Sequence, residues 1–124
     1  MAVVGVGVDA VDVPRFADVL ERRPGIEERL FTEGERAYAR QHTDPVPHLA
    51  VRFAAKEAVM KALGVGLGAF AWHDAEVVRA ERGAPSLVFR GTLADLAADR
   101  GVACFHLSLT HTATVAIAFV VAES

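Results

Sequence analysis

Residues 48–64 read HLAVRFAAKEAVMKALG and form the clearest helical pattern in the sequence. The predicted helix spans His48–Leu63 and ends at Gly64, a residue type that favours the left-handed conformation found just after helices. At about 100° per residue, one side of this helix is apolar and is expected to face the core of the protein. The residues on this apolar side are Val51, Ala54, Ala55, Ala58, Val59, Ala62 and Leu63.

The opposite side of the same helix concentrates charge. It carries the charged residues Arg52, Lys56, Glu57 and Lys61, with Phe53 and Met60 among them. A solvated face would not select Phe and Met, so we expect this side to be covered by a ligand or by another subunit. The spacing alone equally fits a solvent-exposed face, because Glu57 and Lys61 form an i,i+4 pair in the favourable order.

Upstream of the helix, the Val-rich segment Met1–Val8 predicts a short buried strand. Gly5 and Gly7 lie inside it, and glycine in a strand often marks a place where another group approaches the backbone closely. Asp9 follows the predicted strand, where a carboxylate is well held and suits a metal ligand. The alternative is a solvent-exposed aspartate that opens a loop or assists Asp12, the predicted N-cap of the next helix.

The remaining segments complete one domain over residues 1–124. The further predicted helices are 12–23, 27–31, 33–41 and 92–100, and the further predicted strands are 75–80, 86–90, 102–110 and 114–122. Thr32 and Glu35 have the spacing of a capping box at the start of the third helix. Because helices and strands are segregated rather than strictly alternating, the predicted class is α+β.

Polar and apolar residues alternate over His106–Thr112 near the C-terminus. On a strand, His106, Ser108 and Thr110 share one face, and His111 falls at the following turn. Three interpretations stay open at this point. They are a phosphate-binding edge of hydroxyls and imidazoles, a Ser/His hydrolase site that lacks a nucleophile elbow, and a half-exposed edge strand.

The composition argues against several broad classes of protein. The chain has 124 residues and a formal net charge of -3, which argues against general nucleic-acid binding. The N-terminus lacks the basic region of a signal peptide, and the longest apolar run, 113–122, is too short to span a bilayer as a helix. The one cysteine, Cys104, lies in an apolar stretch and is predicted to be a buried small hydrophobe. We therefore expect a cytoplasmic protein that binds neither nucleic acid nor membrane.

Three segments of the chain together resemble the holo-acyl-carrier-protein synthase family of phosphopantetheinyl transferases. They are Gly5–Asp9 followed by a helix that carries Arg15, the signature-like helix Arg52–Gly64, and His106–Thr112 before the closing strand. The segments Phe31–Glu35 and Gly83–Pro85 between them are also similar to the family. The resemblance covers nearly the whole chain in the family's order, and three such segments in so short a chain make it specific.

The resemblance implies a fold, an assembly and a reaction. The fold is an α+β domain with a small, mostly antiparallel sheet and a long central helix, assembled as a homotrimer with active sites between subunits. The reaction transfers 4′-phosphopantetheine from coenzyme A to a serine of an apo acyl carrier protein and releases adenosine 3′,5′-bisphosphate. Fatty-acid biosynthesis is the expected setting, although a polyketide or other carrier protein fits as well. The alternative on the same fold is a coenzyme A-binding module that transfers nothing.

The resemblance also implies roles for residues at matching positions. Asp9 and Glu57 become the ligands of Mg²⁺, with Mn²⁺ as the alternative ion, and Lys61 becomes the lysine that binds the diphosphate. The further residues expected to contact coenzyme A are Arg52, Lys56, Pro85, Ser108 and His111. Carrier proteins are acidic, so the expected docking residues are Arg15, Arg22 and Arg23 of the first helix, of which Arg15 and Arg22 lie seven positions apart and share a face.

Overall fold

The computed structural model of the protein describes residues 1–80 and 82–124. The helices are α1 (Val13–Arg22), α2 (Ile26–Leu30), α3 (Glu33–Arg40), α4 (Val46–Leu63) and α5 (Gly91–Asp99), with a 3₁₀ turn over Trp72–Asp74. The strands are β1 (Val3–Asp12), β2 (Ala75–Arg79), β3 (Pro85–Phe89), β4 (Cys104–His111) and β5 (Val115–Glu123). This segregation of helices and strands confirms the predicted α+β class. Within the described residues, every helix is too short or too polar to cross a membrane.

The described strands form one antiparallel sheet in the order β1-β5-β4-β3-β2. In its register Gly7 lies opposite Val120, and Asp9 lies opposite Ala118. Val120 and Ala118 are fully buried, because the central helix α4 packs against this inner face of β1 and β5. Since side chains alternate along a strand, Asp9 also belongs to the inner face and its neighbour Val8 to the outer one.

Helix α4 is buried on nearly all sides by the chain itself. Met60 is only 2% exposed. Phe53 packs between Phe16 of α1 and Trp72 of the 3₁₀ turn, with ring centroids 5.3 Å from each. The expectation that a ligand or another subunit covers the charged side of this helix is therefore wrong for Phe53 and Met60, whereas Lys61 at the end of this side remains open, with 55% of its side chain exposed. Helices α1 and α3 and the 3₁₀ turn of the same chain cover most of that side.

Strand β1 is longer than predicted and exposed on one face. It continues to Asp12, because residues 8–12 go on pairing with residues 115–119 of β5. Asp9 therefore lies inside the strand rather than after it. Val6 and Val8 on the outer face are 56% and 52% exposed. The prediction of a fully buried strand is wrong for this outer face.

The helix caps follow the predicted local patterns. Asp12 caps α1, where its Oδ1 atom accepts a hydrogen bond from the backbone N–H of Arg15 over 2.9 Å. At the start of α3, the Thr32 hydroxyl accepts from the Glu35 N–H, and the Glu35 carboxylate accepts from the Thr32 N–H. Gly64 ends α4 in the left-handed conformation, with a φ of 68°. These residues confirm the predicted starts of α1 and α3 and the predicted end of α4, whereas α4 begins at Val46 rather than at the predicted His48.

Strand β1 and helix α4 touch backbone to backbone at two glycines. A Cβ atom on Gly5 would lie 1.9 Å from the carbonyl oxygen of Ala62, and one on Gly7 would lie 1.9 Å from that of Ala58. Both separations are far shorter than van der Waals contact, so any side chain at these positions would force the helix away from the strand. The structure thus confirms that these glycines mark a close approach.

Replacing Gly7 by alanine is expected to lower the free energy of unfolding by about 1–3 kcal/mol, the usual cost of overpacking a core. Urea unfolding followed by circular dichroism measures this change. Gly66→Ala is the matched control, because a Cβ atom on Gly66 would meet no heavy atom within 4 Å. Equal unfolding free energies for Gly7→Ala and Gly66→Ala would contradict the close contact.

Candidate active site

A lysine and an aspartate meet where α4 crosses β1. Lys61, in the last turn of α4, donates from Nζ to the Asp9 carboxylate over 3.1 Å and to the carbonyl oxygen of Val8 over 3.0 Å. The Asp9 side chain is 18% exposed, whereas that of Lys61 is 55% exposed. The ammonium group is therefore anchored at the strand and remains open to solvent.

Glu57 lies one helical turn before Lys61 and borders the same cavity as Asp9. Burial raises the pKa of Glu57, the negative charge of Asp9 raises it further, and Lys61 lowers it. The two carboxylates are therefore close enough to repel each other. The structure thus brings together Asp9, Glu57 and Lys61, the residues that the sequence resemblance singles out.

The cavity beside these residues has a volume of about 920 Å³, within the range of small-molecule sites. Its wall is mainly apolar, with the aromatic residues Phe16, Phe53, Phe70 and Trp72 among those that line it. Asp9 and Glu57 supply negative charge at this apolar wall. Paired carboxylates that border an open cavity form the oxygen-donor set that Mg²⁺ prefers in proteins, where it keeps waters and binds substrate phosphates as well.

Arginines border the same cavity. Arg15 and Arg23 reach it from the α1 side, and Arg29 reaches it from α2. Arg22, the second expected docking residue, is exposed at the end of α1 and is not among the residues that line the cavity. Sequence analysis missed Arg29, because α2 has only five residues and its pattern does not indicate which side faces α1.

Lys56 does not reach this cavity, because it belongs to a buried ion pair. Its Nζ atom donates to Glu35 over 2.9 Å and to the carbonyl oxygens of Trp72 and Ala75. Both side chains of the ion pair are fully buried. The second carboxylate oxygen of Glu35 accepts from the Val77 N–H over 2.9 Å. The expectation that Lys56 contacts coenzyme A is therefore wrong. Lys56 instead has a structural role, because its ion pair with Glu35 joins α4 to α3 and β2.

Arg52 is also buried, with only 2% of the residue exposed. Its guanidinium lies over the Tyr38 ring, 4.2 Å from the ring centroid, and donates to the carbonyl oxygen of His48 over 3.1 Å. Burial lowers the pKa of Arg52, an effect that Tyr38 and Glu35 oppose. Because Tyr38 belongs to α3, this helix shields Arg52 from a ligand. The expectation that Arg52 contacts coenzyme A is therefore wrong as well.

The other residues expected to contact coenzyme A lie away from Asp9. Ser108 is exposed on the outer face of β4, whereas Asp9 belongs to the inner face of the sheet. Pro85 begins β3, and His111 is the last residue of β4 rather than part of the following turn. Among the described residues, none of these three borders the cavity that contains Asp9 and Glu57.

A second cavity, of about 760 Å³, lies beside a cluster of histidines. Arg79, Arg82 and His42 are among its lining residues. The His42 ring stacks on His48 at 3.6 Å between centroids, and His111 packs edge-on against His48 at 5.0 Å. Burial, followed by the charges of His42 and His111, lowers the pKa of His48 to about 4. His48 is therefore neutral at pH 7, and the positive charge of this cavity comes from the two arginines.

The family model of the 4′-phosphopantetheinyl transferase superfamily matches residues 5–120. The chain therefore belongs to this superfamily. Its relatives there include holo-[acyl-carrier-protein] synthases. The one from Frankia alni is 60% identical over 124 residues, the full length of both chains. The one from Caldanaerobacter subterraneus subsp. tengcongensis is 42% identical over 94% of this chain and 92% of the relative.

Solved structures of such synthases share the fold over nearly the whole chain. The crystal structure of the synthase from Neisseria meningitidis aligns with a TM-score of 0.89 at 30% identity, covering 99% of this chain and 100% of that one. The synthase from Bacillus anthracis, crystallised in complex with CoA (3′,5′-ADP), aligns with a TM-score of 0.81 at 34% identity, covering 98% and 97% of the two chains.

Replacing Lys56 by methionine is expected to lower the free energy of unfolding by about 3–5 kcal/mol, because the Glu35 carboxylate would remain buried without its partner. Lys61→Met, on the same helix, is expected to cost less than about 1 kcal/mol, since the Lys61 side chain is more than half exposed and ion pairs open to solvent contribute little. Urea unfolding of both variants measures the difference. Equal stabilities would contradict the structural role of Lys56.

Proposed function

We propose that this protein transfers 4′-phosphopantetheine from coenzyme A to a serine hydroxyl of an apo acyl carrier protein. Membership of the superfamily and the names of the relatives support this reaction. The observation that carries it here is that Asp9 and Glu57 border one cavity, with Lys61 bonded to the Asp9 carboxylate beside it. In this reaction the serine oxygen bonds to the β-phosphorus, the bond from that phosphorus to the bridging oxygen breaks, and adenosine 3′,5′-bisphosphate leaves.

Asp9 and Glu57 are the residues that would hold Mg²⁺, or Mn²⁺ in its place. Burial, and after it the negative charge of Asp9, raises the pKa of Glu57, and a bound divalent cation would offset both effects. The bound ion would supply positive charge that stabilises the phosphate oxygens during transfer. The site also suits Mg²⁺ because both ligands are oxygens, and the adjoining cavity leaves room for waters and substrate phosphates.

Lys61 would hold the diphosphate of coenzyme A. Its ammonium group is more than half exposed and is positioned by the Asp9 carboxylate and the Val8 carbonyl. A positioned cation beside the leaving phosphate stabilises the charge that develops there. The nucleophile is supplied by the carrier protein, so the enzyme needs no nucleophile of its own and forms no covalent intermediate.

The carrier protein would dock on the arginine-bearing side of the cavity. Arg15 is exposed there, with Arg23 and Arg29 bordering the same cavity. Positive side chains suit an acidic partner, because complementary charge speeds association and fixes orientation. Arg22 lies on the same helix and would extend this surface. The reaction would take place in the cytoplasm and serve fatty-acid biosynthesis.

The complete active site would form between copies of the chain in a homotrimer. The outer face of the sheet exposes apolar side chains, with Val6 at 56%, Val8 at 52% and Phe119 at 44%. An apolar patch of this kind is typical of an interaction surface. Ser108 belongs to the same outer face, opposite to the side that carries Asp9. A site that contains both residues therefore needs two copies of the chain.

The neighbouring copy would contribute the groups that bind the nucleotide half of coenzyme A. Ser108, His111 and Pro85 are the candidates that sequence resemblance supplies. The second cavity adds Arg79 and Arg82, whose charges suit a nucleotide phosphate. This division explains why one chain alone does not bring all the candidate residues to a single cavity.

The rival functions find less support. A hydrolase would need Ser108 and His111 to meet, but residues three positions apart on a strand point to opposite faces. Ser108 therefore points away from the His111 imidazole. A module that binds coenzyme A without transfer would have no use for Asp9 and Glu57 beside Lys61, because a pair of carboxylates alone repels the diphosphate.

Asp9→Asn and Glu57→Gln are each expected to reduce carrier modification by about 100-fold or more, the order of effect seen when one charge-stabilising group is removed from an active site. Mass spectrometry of an apo acyl carrier protein incubated with coenzyme A and Mg²⁺ measures the gain of one phosphopantetheine group. EDTA is expected to abolish the gain, and added Mg²⁺ to restore it.

Asp95→Asn is the matched control for this experiment, because Asp95 is exposed on α5, remote from the cavity. Circular dichroism of each variant establishes that the fold is intact. Modification that survives chelation, or that continues at the wild-type rate in Asp9→Asn, would overturn the proposed metal site. Binding of coenzyme A without any mass gain would favour the non-enzymatic module.

A further inference from the structure

A cysteine, a histidine and a glutamate converge on the outer face of the sheet. Cys104 and His106 lie two residues apart on β4, so they share this face. Glu123 of β5 lies directly opposite Cys104 in the antiparallel register. Cys104 is not the fully buried hydrophobe that the sequence predicts, because its thiol lies partly exposed beside two polar groups.

The three potential ligand atoms are spaced as a tetrahedral metal ion requires. The Cys104 Sγ atom lies 3.5 Å from His106 Nε2 and 3.7 Å from Glu123 Oε1, and the last two atoms are 3.3 Å apart. Zinc bonds of about 2.3 Å to sulfur and about 2.0–2.1 Å to nitrogen or oxygen give tetrahedral edges of about 3.3–3.6 Å. The three distances match these edges within about 0.2 Å.

We propose that Cys104, His106 and Glu123 form a binding site for Zn²⁺ on the outer face of the sheet. Thiolate and imidazole ligands favour zinc over the hard ions Mg²⁺ and Ca²⁺, which prefer oxygen. As the zinc–sulfur bond forms, the Cys104 thiol releases its proton to solvent. Three protein ligands leave the fourth position of the tetrahedron for water.

The site is preformed. In the single chain the His106 side chain is 59% exposed and that of Glu123 is 34% exposed, so none of the chain's own described elements closes the site. The backbone positions of the ligands are fixed by the continuous pairing of β4 with β5. The site also lies apart from the Asp9 carboxylate, because Glu123 pairs with Val3 at the opposite end of β1 and the cluster occupies the other face of the sheet.

The test is a titration of the reduced, metal-free protein with Zn²⁺ by calorimetry, with excess Mg²⁺ present to occupy the carboxylates of Asp9 and Glu57. One zinc ion per chain is expected at this site. Co²⁺ used in place of Zn²⁺ should produce the near-ultraviolet charge-transfer absorption of a thiolate–cobalt bond. Added Zn²⁺ should displace the Co²⁺ and abolish this absorption.

Cys104→Ser, His106→Asn and Glu123→Gln are each expected to weaken zinc binding more than about 10-fold. Even the loss of a group that only hydrogen-bonds to a metal ligand lowers metal affinity by about that factor. Cys104→Ser should also abolish the thiolate–cobalt absorption. His73→Asn is the matched control, because His73 is an exposed histidine on the 3₁₀ turn. The absence of a thiolate–cobalt absorption in the wild-type protein, or unchanged zinc affinity in the ligand variants, would overturn the proposal.

Discussion

The contact between α4 and β1 at Gly5 and Gly7 determines most of what this protein can do. With no Cβ on either glycine, the helix backbone lies against the strand backbone at Ala58 and Ala62. This approach carries Lys61 to within 3.1 Å of Asp9 and brings Glu57 to the same cavity. The charges of the site therefore depend on two positions that have no side chains. A change at either glycine would alter the site without touching a charged residue.

A second constraint holds α4 from its other side. The buried ion pair between Lys56 and Glu35 joins the helix to α3, and further hydrogen bonds extend it to the 3₁₀ turn and β2. Glu35 also accepts from the Thr32 N–H in the capping box of α3. One carboxylate thus helps to cap the start of α3 and neutralises a buried lysine. Because every polar atom of the pair has a partner, the helix can carry a buried charge next to the active-site cavity.

Much of the fold was predictable because local rules decide it. The caps at Asp12, Thr32 and Gly64 follow from the chemistry of short polar side chains and glycine. The close approach at Gly5 and Gly7 was predictable because glycine weakens a strand, so its presence there often marks a place where another backbone comes close. The α+β class follows from the order of the elements, and the resemblance of the three segments is confirmed by the family match over residues 5–120.

The site was predictable only in part. A helical pattern shows on which side of the helix a residue lies, but it does not show which group that residue contacts. Glu57 and Lys56 share the charged side of α4, yet one borders the cavity and the other pairs with Glu35. The distinction depends on where α3 packs, and Glu35 and Lys56, 21 positions apart in the sequence, carry no local signal for this contact. Cys104 was misjudged for the same reason, since its apolar neighbours in sequence do not show that Glu123 lies across from it.

The claim at the centre of this account is that Asp9 and Glu57 hold one divalent ion between β1 and α4. Electron paramagnetic resonance of Mn²⁺, which distinguishes the free ion from the bound one, tests it most directly during a titration of the protein. The account predicts one manganese ion per chain in the wild-type protein and loss of this binding when both carboxylates are replaced by their amides. Unchanged binding in that doubly substituted protein, with its fold intact, would contradict the account.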